Sequence, residues 1–206
     1  MKTGGDKIEA FSVTAVKPGF SEHEEKGQSA FETLTEQSFS GKWKIIYTYP
    51  KDFTLVCPTE IAGFAKLAKD FEDRDTGLLS GSNDNEFCKL GGRRDRKDLS
   101  RLNHWQFADT TGVLVDQLGI REKTAGVALR DFHRSSGQRI QHVSVNSLNV
   151  GRNPDEVLRL LDGLQTDELC PCNRAVGGAT LQPIHNSVEE REPVYTGSRP
   201  TSTPGK

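Results

Sequence analysis

The residues of this chain best suited to covalent chemistry are its four cysteines, Cys57, Cys88, Cys170 and Cys172. A thiolate is both nucleophile and metal ligand, so what each thiol can do depends on what favours its ionised form. Cys57 lies in the stretch Pro50-Lys51-Asp52-Phe53-Thr54-Leu55-Val56-Cys57-Pro58-Thr59-Glu60. Downstream, Ile61, Phe64, Leu67, Ala68 and Phe71 recur at three-to-four spacing, which predicts one amphipathic helix from about Cys57 to Arg74. Pro58 fits its first turn, where a missing N–H leaves nothing unpaired. Cys57 is thereby expected at a helix N-terminus, where free N–H groups and a partial positive charge favour negative sulfur. Bringing an ordinary thiol to full ionisation at neutral pH takes about 3 kcal/mol, whereas a helix end supplies about 0.3–1 and at most about 2. A reactive thiol here needs a fixed cation nearby. Without one, Cys57 is a structural cysteine packed at the start of a helix.

Cys170 and Cys172 stand two apart and lack the redox Cys-x-x-Cys spacing. Half a zinc site is the rival reading, but tetrahedral zinc takes four ligands and only the distant His185 follows. The other histidines, His23, His104, His133 and His142, show no metal spacing, so no metal is expected. Cys88 has no partner in sequence and is expected as a small packed residue. Four unevenly spaced cysteines do not make a secreted disulfide framework, and in a cytosolic chain they point to redox chemistry or metal.

Composition narrows the field. At 206 residues and a formal net charge of −2, the chain gives no reason to expect nucleic acid or acidic lipid. The Arg93-Arg94 cluster in Gly91–Lys97 is interleaved with Asp95 and followed by Asp98, which reads as a solvated helix face. Adjacent Glu24 and Glu25 read as a solvated loop rather than a paired acid and base. No signal-peptide core follows Met1 and no apolar run approaches the roughly 20 residues of a membrane helix, so the protein is expected in the cytoplasm. Apolar content of 33% is low, and the core is expected to be marginal.

Several elements must position the thiol. Trp43–Tyr49 is rich in β-branched and aromatic residues and reads as a strand that Pro50 stops. Ile8–Val16 and Phe31–Leu34 predict short strands, and Gly77–Ser82 a strand and turn. Asn83-Asp84-Asn85 predicts the start of a helix through Cys88. Gly112–Val115 and Leu118–Ile120 read as an apolar stretch with a turn. Gly126–Gly137 and Ile140–Val145 look like an antiparallel pair. Asn153, Pro154 and Glu156 mark a helix start with Val157, Leu160, Leu161 and Leu164 as its buried stripe. This alternation predicts an α/β domain with a central mixed sheet. From Gln182 the chain is rich in Pro, Ser, Thr and charge, giving one domain over 1–181 and a disordered tail over 182–206. No glycine-rich loop suggests a bound nucleotide, and no cofactor is expected.

The spacing Pro50-x-x-x-Thr54-x-x-Cys57 resembles the active-site motif of the peroxiredoxins, and the likeness continues through Asp84–Phe87, Asn103–Asp109, Gly126–Arg130, Val150–Arg159 and Leu164–Asn173. The chain is most similar to the two-cysteine alkyl hydroperoxide reductase C subunits of the thiol-specific antioxidant family, in the variant with Cys-Pro-Cys near its end. The resemblance implies a thioredoxin-like fold with helices flanking the mixed sheet. It implies a peroxidase for hydrogen peroxide and organic hydroperoxides, in which Cys57 is the peroxidatic thiol. Thr54, Pro50 and Arg130 would complete its site, with Glu60 and Arg152 bracing Arg130. Cys170 would be the resolving thiol and Cys172 an auxiliary one. A homodimer or ring of dimers is implied, as is a protein disulfide reductant, either thioredoxin-like or an alkyl hydroperoxide reductase partner. The alternatives are an oligomeric holdase or scaffold, or a redox sensor with impaired peroxidase activity.

The chain departs from the family pattern where apolar content is lost. Phe132-His133-Arg134-Ser135-Ser136 is polar where relatives carry an apolar strand, which bears on whether Arg130 reaches Cys57. Thr48 replaces a bulky aromatic. Gly91-Gly92 in a helical stretch costs roughly 2 kcal/mol relative to alanine. A protein less stable than its kin is expected.

Overall fold

The computed structural model describes residues 1–136 and 139–182, and of residues 131–136 the backbone alone. In chain order the described elements are β1 (Ser12–Val16), β2 (Glu24–Glu25), β3 (Gln28–Ser29), β4 (Phe31–Thr35), β5 (Trp43–Thr48), α1 (Cys57–Lys66), α2 (Ala68–Glu72), β6 (Thr76–Ser82), α3 (Glu86–Asp95), β7 (Trp105–Ala108), α4 (Val113–Leu118), β8 (Arg130–Ser136), β9 (Arg139–Asn146) and α5 (Pro154–Gln165). One sheet runs β4-β1-β7-β6-β5-β8-β9. Its centre, β5, β6 and β7, is parallel, and the flanking strands pair antiparallel, so the mixed sheet is as expected.

Alternation along β5 divides the core in two, because successive side chains of a strand face opposite sides. Ile45, Tyr47 and Tyr49 join one cluster with Ile61, Phe64, Phe71, Val157 and Leu161, from α1, α2 and α5. Ile46 joins the other with Leu79, Phe107, Leu114, Val115 and Leu118, under α4. Cys57 belongs to the first cluster. The site therefore sits at the end of a central strand buried on both faces.

Several sequence expectations need correction. The helix from Cys57 breaks at Leu67 (φ −98°, ψ 5°) into α1 and α2, and no glycine or proline marks the break. Residues 113–118 form a helix rather than a turn: Gly112 (φ 78°) and Gly119 (φ 72°) bracket it, and Asp109 Oδ2 accepts from the N–H groups of Leu114 and Val115. Glu24–Glu25 is a strand, paired with β3 across Lys26 (φ 53°) and Gly27 (φ 73°), a turn with two left-handed residues that suits a tight hairpin. Glu25 accepts from the N–H groups of Ser21 and Glu22 and from Arg101, which together lower its carboxyl to about 2. Arg93 is buried rather than solvated: its guanidinium donates to Gln106 Oε1 and to the carbonyls of Val16, Lys17, Phe20 and His104. In α5 the buried residues are Val157, Leu158 and Leu161, while Leu160 and Leu164 are half-buried. Cys88 is half-buried rather than fully packed.

Other expectations hold. Asn153 caps α5, its Oδ1 accepting from Asp155 N at 3.0 Å. Residues 130–136 and 139–146 pair antiparallel, and β8 docks on β5 despite its polar composition. The side chains of that polar segment, and the tail from residue 183, lie outside the described residues.

Candidate active site

Strand β5 ends at Thr48, and Pro50 turns the chain into a loop that ends at Val56, the N-cap of α1. Val56 makes no side-chain cap, but its carbonyl accepts from the N–H groups of Thr59 at 3.0 Å and Glu60 at 3.4 Å. Cys57 is the first helical residue and is 1% exposed. The sulfur is out of bulk water, at a helix start, inside an apolar cluster.

The required cation is present. Arg130 begins β8, beside β5, and is itself 2% exposed. Its three donor nitrogens are spread over three acceptors: Nη2 donates to Cys57 Sγ at 3.6 Å, Nη1 to Glu60 Oε2, and Nε to the Leu148 carbonyl at 3.1 Å. Glu60 lies one turn after Cys57 on α1, which places its carboxylate on the same helix end as the sulfur. Its second oxygen, Oε1, accepts from Arg152 twice, from the backbone N and from Nε, each at 2.8 Å. The Arg152 guanidinium also lies over the Tyr47 ring, 5.1 Å from its centroid. Two arginines from distant parts of the chain thus converge on one carboxylate, and Arg130 faces the sulfur with its remaining edge. Buried charges persist only when paired in this way.

Thr48, the expected weak point of β5, donates from Oγ1 to the Leu129 carbonyl at 2.6 Å. That bond fixes the residue just before Arg130. A bulky side chain could not make it.

Behind Tyr47 the interior stays polar but closed. Tyr47 stacks on Phe64 with ring centroids 4.1 Å apart, and its hydroxyl meets His104 Nε2 at 2.8 Å. Burial, reinforced by the charge of Arg93, lowers His104 to about 3 and so keeps it neutral. Burial also raises the Tyr47 phenol.

The predicted site residues do not all converge. Cys57, Glu60, Arg130 and Arg152 form one connected cluster. Thr54 stands in the loop with its hydroxyl donating to the Lys51 carbonyl at 3.1 Å, and Pro50 is half-buried at the loop start. Cys170 and Cys172 are exposed on the segment after α5 and line a cleft of about 440 Å³ with Arg159, Leu164 and Arg174. Cys170 Sγ lies 3.5 Å from the Gly163 carbonyl, and all four thiols are free. The described residues contain no group of three or more His, Cys, Asp or Glu that could hold a metal ion. Sequence reasoning missed Lys89, Leu148 and the Tyr47–His104 pair, and gave Asp52 and Asp84 no role although both stand in the quoted motifs. Nothing in the spacing singles out Lys89 or Leu148.

A buried thiol at the N-terminus of a helix, faced by a braced guanidinium at the end of a mixed sheet, defines a thiol-based redox protein of thioredoxin-like fold. The family description AhpC/TSA matches residues 5–133. Alkyl hydroperoxide reductase C of Mycolicibacterium smegmatis is 41% identical over 181 residues, covering 87% of this chain and 93% of that protein. A thioredoxin peroxidase of Trypanosoma brucei rhodesiense is 34% identical over 181 residues, covering 84% and 91%. Among solved structures, AhpC of Mycobacterium tuberculosis superposes with a TM-score of 0.76 at 41% identity, covering 82% of this chain and 97% of that one. The reduced 2-Cys peroxiredoxin of Plasmodium vivax superposes at 0.79 with 28% identity, covering 89% and 95%. The chain belongs to the AhpC/TSA family, and it is a peroxiredoxin enzyme, a peroxidase.

Proposed function

We propose that Cys57 reduces hydrogen peroxide and organic hydroperoxides and that Cys170 resolves the oxidised product. The observation that carries this reading is Arg130 Nη2 at 3.6 Å from Cys57 Sγ, held there by Glu60. The thiolate attacks the terminal peroxide oxygen: the S–O bond forms, the O–O bond breaks, and the departing oxyanion takes a proton to leave as alcohol or water. Sulfur is oxidised by two electrons to the sulfenic acid. Negative charge builds on the leaving oxygen, and Arg130, the Cys57 N–H at the start of α1 and the Thr54 hydroxyl are the donors that would meet it. Glu60 and Arg152 act through Arg130, as positioning residues. Pro50 would close the pocket over the sulfenate.

A second thiol then condenses with the sulfenic acid, forming the disulfide and releasing water. Cys170 takes that role and Cys172 an auxiliary one, since both are exposed beside the apolar and exposed Leu169, Val176 and Leu181. Those side chains suit contact with a second copy of the chain or with a protein dithiol reductant, of thioredoxin-like or alkyl hydroperoxide reductase partner type. A homodimer or ring of dimers follows from the same reading, as does a single domain over 1–181. A cytoplasmic location belongs to the same reading; of the described residues, no helix is long and apolar enough to cross a membrane.

Thiol loss on stoichiometric peroxide tests the assignment. Wild type should lose two thiols per chain rapidly, Cys170→Ser one, and Cys57→Ser none on that timescale. Equal slow loss in all three would end the proposal.

A further inference from the structure

We infer that Lys89 and Asp52 are positioning residues for Cys57: their buried ion pair ties the loop before the thiol to α3 and governs how the oxidised sulfur divides between resolution and over-oxidation. This rests on the assignment of Cys57 as the attacking thiol and Cys170 as the resolving one.

Asp52 stands five residues before Cys57, and its N–H and both carboxylate oxygens are engaged. Its backbone N donates to Asp84 Oδ2 at 2.7 Å, Oδ1 accepts from the Tyr49 hydroxyl at 3.0 Å, and Oδ2 accepts from Lys89 Nζ at 2.6 Å and from Ser82 Oγ at 3.3 Å. The lysine reaches it from the first turns of α3 with a side chain 0% exposed, against 7% for the aspartate. Lys89 Nζ also donates to Ser82 Oγ and lies 5.2 Å from the Tyr49 ring centroid. A fully buried lysine is rare and is retained only where it is paired. Tyr49 and Ser82 stand at the ends of adjacent parallel strands, so the pair anchors the loop to the rigid centre of the sheet.

The next residue repeats the attachment. Phe53 takes a left-handed backbone (φ 55°), and its Cζ lies 3.2 Å from where a Cβ on Gly91 of α3 would stand. The loop thus meets α3 at two successive residues, by charge at Asp52 and by the tip of the otherwise exposed Phe53 ring. Beyond them Leu55 is 90% exposed.

This attachment opposes a step that resolution requires. Cys57 is 1% exposed, Cys170 is exposed on the segment after α5, and a disulfide needs the two Cα atoms within about 4.4–6.8 Å. The loop and the first turn of α1 must come away before any second thiol meets the sulfenate. While they stay in place, a second peroxide can react instead: another S–O bond forms, another O–O bond breaks, and the sulfenic acid becomes sulfinic. The tie that aims Cys57 at Arg130 is therefore also the tie that delays its rescue.

The experiment compares wild type, Cys170→Ser, Lys89→Met and the double variant Lys89→Met/Asp52→Asn by rapid mixing with hydrogen peroxide, following sulfenate and disulfide formation, with mass spectrometry of sulfinic acid per turnover. Lys89→Met should slow attack about tenfold, because a small misplacement of reacting atoms is costly. Its disulfide formation should be severalfold faster and its sulfinic fraction lower. The single variant leaves Asp52 buried and unpaired, whereas the double variant leaves no unpaired charge and should recover the melting temperature while keeping the altered division. A double variant with wild-type attack, resolution and sulfinic fraction would overturn the inference, as would attack and resolution falling together in step with stability. A wild type that is not oxidised at Cys57, or a Cys170→Ser variant that still forms the disulfide, would instead overturn the assignment beneath it.

Discussion

The two sulfurs proposed to meet in one reaction occupy opposite kinds of environment. Cys57 is 1% exposed, at the end of a strand buried on both faces, beside a guanidinium whose donor nitrogens are all engaged. Cys170 is exposed, on a segment without regular secondary structure, held by a 3.5 Å contact from its sulfur to Gly163 and by Leu181 N donating to the Leu169 carbonyl at 2.7 Å. The first place suits a step whose barrier is lowered by fixed dipoles in a dry pocket, since such groups do not have to reorganise when charge moves. The second suits a step that needs travel, and segments that move are drawn from the least stable part of a fold. What the contrast teaches is that burial and fixed charge are concentrated at one thiol, while the other lies exposed on a segment without helix or strand, which suits the two different steps proposed for them.

Changes at the buried pole should have the largest effects. Arg130→Met removes the donor that faces the sulfur and is proposed to meet the leaving oxygen, and should lower the rate of peroxide attack about 10²–10³-fold in stopped-flow measurements. A rate within threefold of wild type would remove Arg130 from the chemistry and leave the contrast unexplained. Glu60→Gln should be felt first in stability. Both side chains of the Glu60–Arg130 pair are at most 3% exposed, and deleting one partner of a buried pair costs about 3–5 kcal/mol, read from the denaturant midpoint.

The pH dependence of stability should also belong to the buried pole. His104 is lowered from 6.5 to about 3 by burial and by Arg93, so the unfolded chain binds a proton there that the folded protein refuses. Its contribution is complete above pH 6.5 and is lost progressively as pH falls toward 3. Urea midpoints should drop across that window, and His104→Gln should flatten the drop; an unchanged slope would assign it to other groups. The smallest effect is expected at the exposed pole. Asp162 accepts from Arg174 Nη1 at 2.7 Å and from Gly177 N at 3.0 Å, pinning the Cys-Pro-Cys segment to α5. Asp162→Ala should leave peroxide attack unchanged, cost about 1 kcal/mol in stability, and alter disulfide formation only a few-fold. A change in the attack rate would show that the two poles are not separate.

Much of this site could be read from residues alone. Pro50, Thr54, Cys57 and Glu60 are close in sequence, and helix periodicity with a proline in the first turn suffices to place the thiol at a helix start. The energy argument asked for a cation without saying where it lies, and the family resemblance pointed to Arg130. The hydroxyl of Thr48 meets the Leu129 carbonyl across a strand pairing that no local pattern reveals. At Gly91, likewise, the Phe53 ring tip lies 3.2 Å from where a Cβ would stand, a contact between loop and helix that the local sequence does not show.

Amino-acid order by itself placed Cys57 at a helix start, marked the capped start of α5 and made Trp43–Tyr49 a strand. These follow from short-range periodicity and backbone preference, which a chain carries whatever its surroundings. Tertiary structure alone decided the rest. It carried Arg130 and Arg152 onto one carboxylate, carried Lys89 through the interior to Asp52, buried Arg93 where its pattern suggested solvent, and broke the first helix at Leu67. Each joins residues far apart in the chain or balances a charge against its burial, and such energies exist only once the chain has closed on itself.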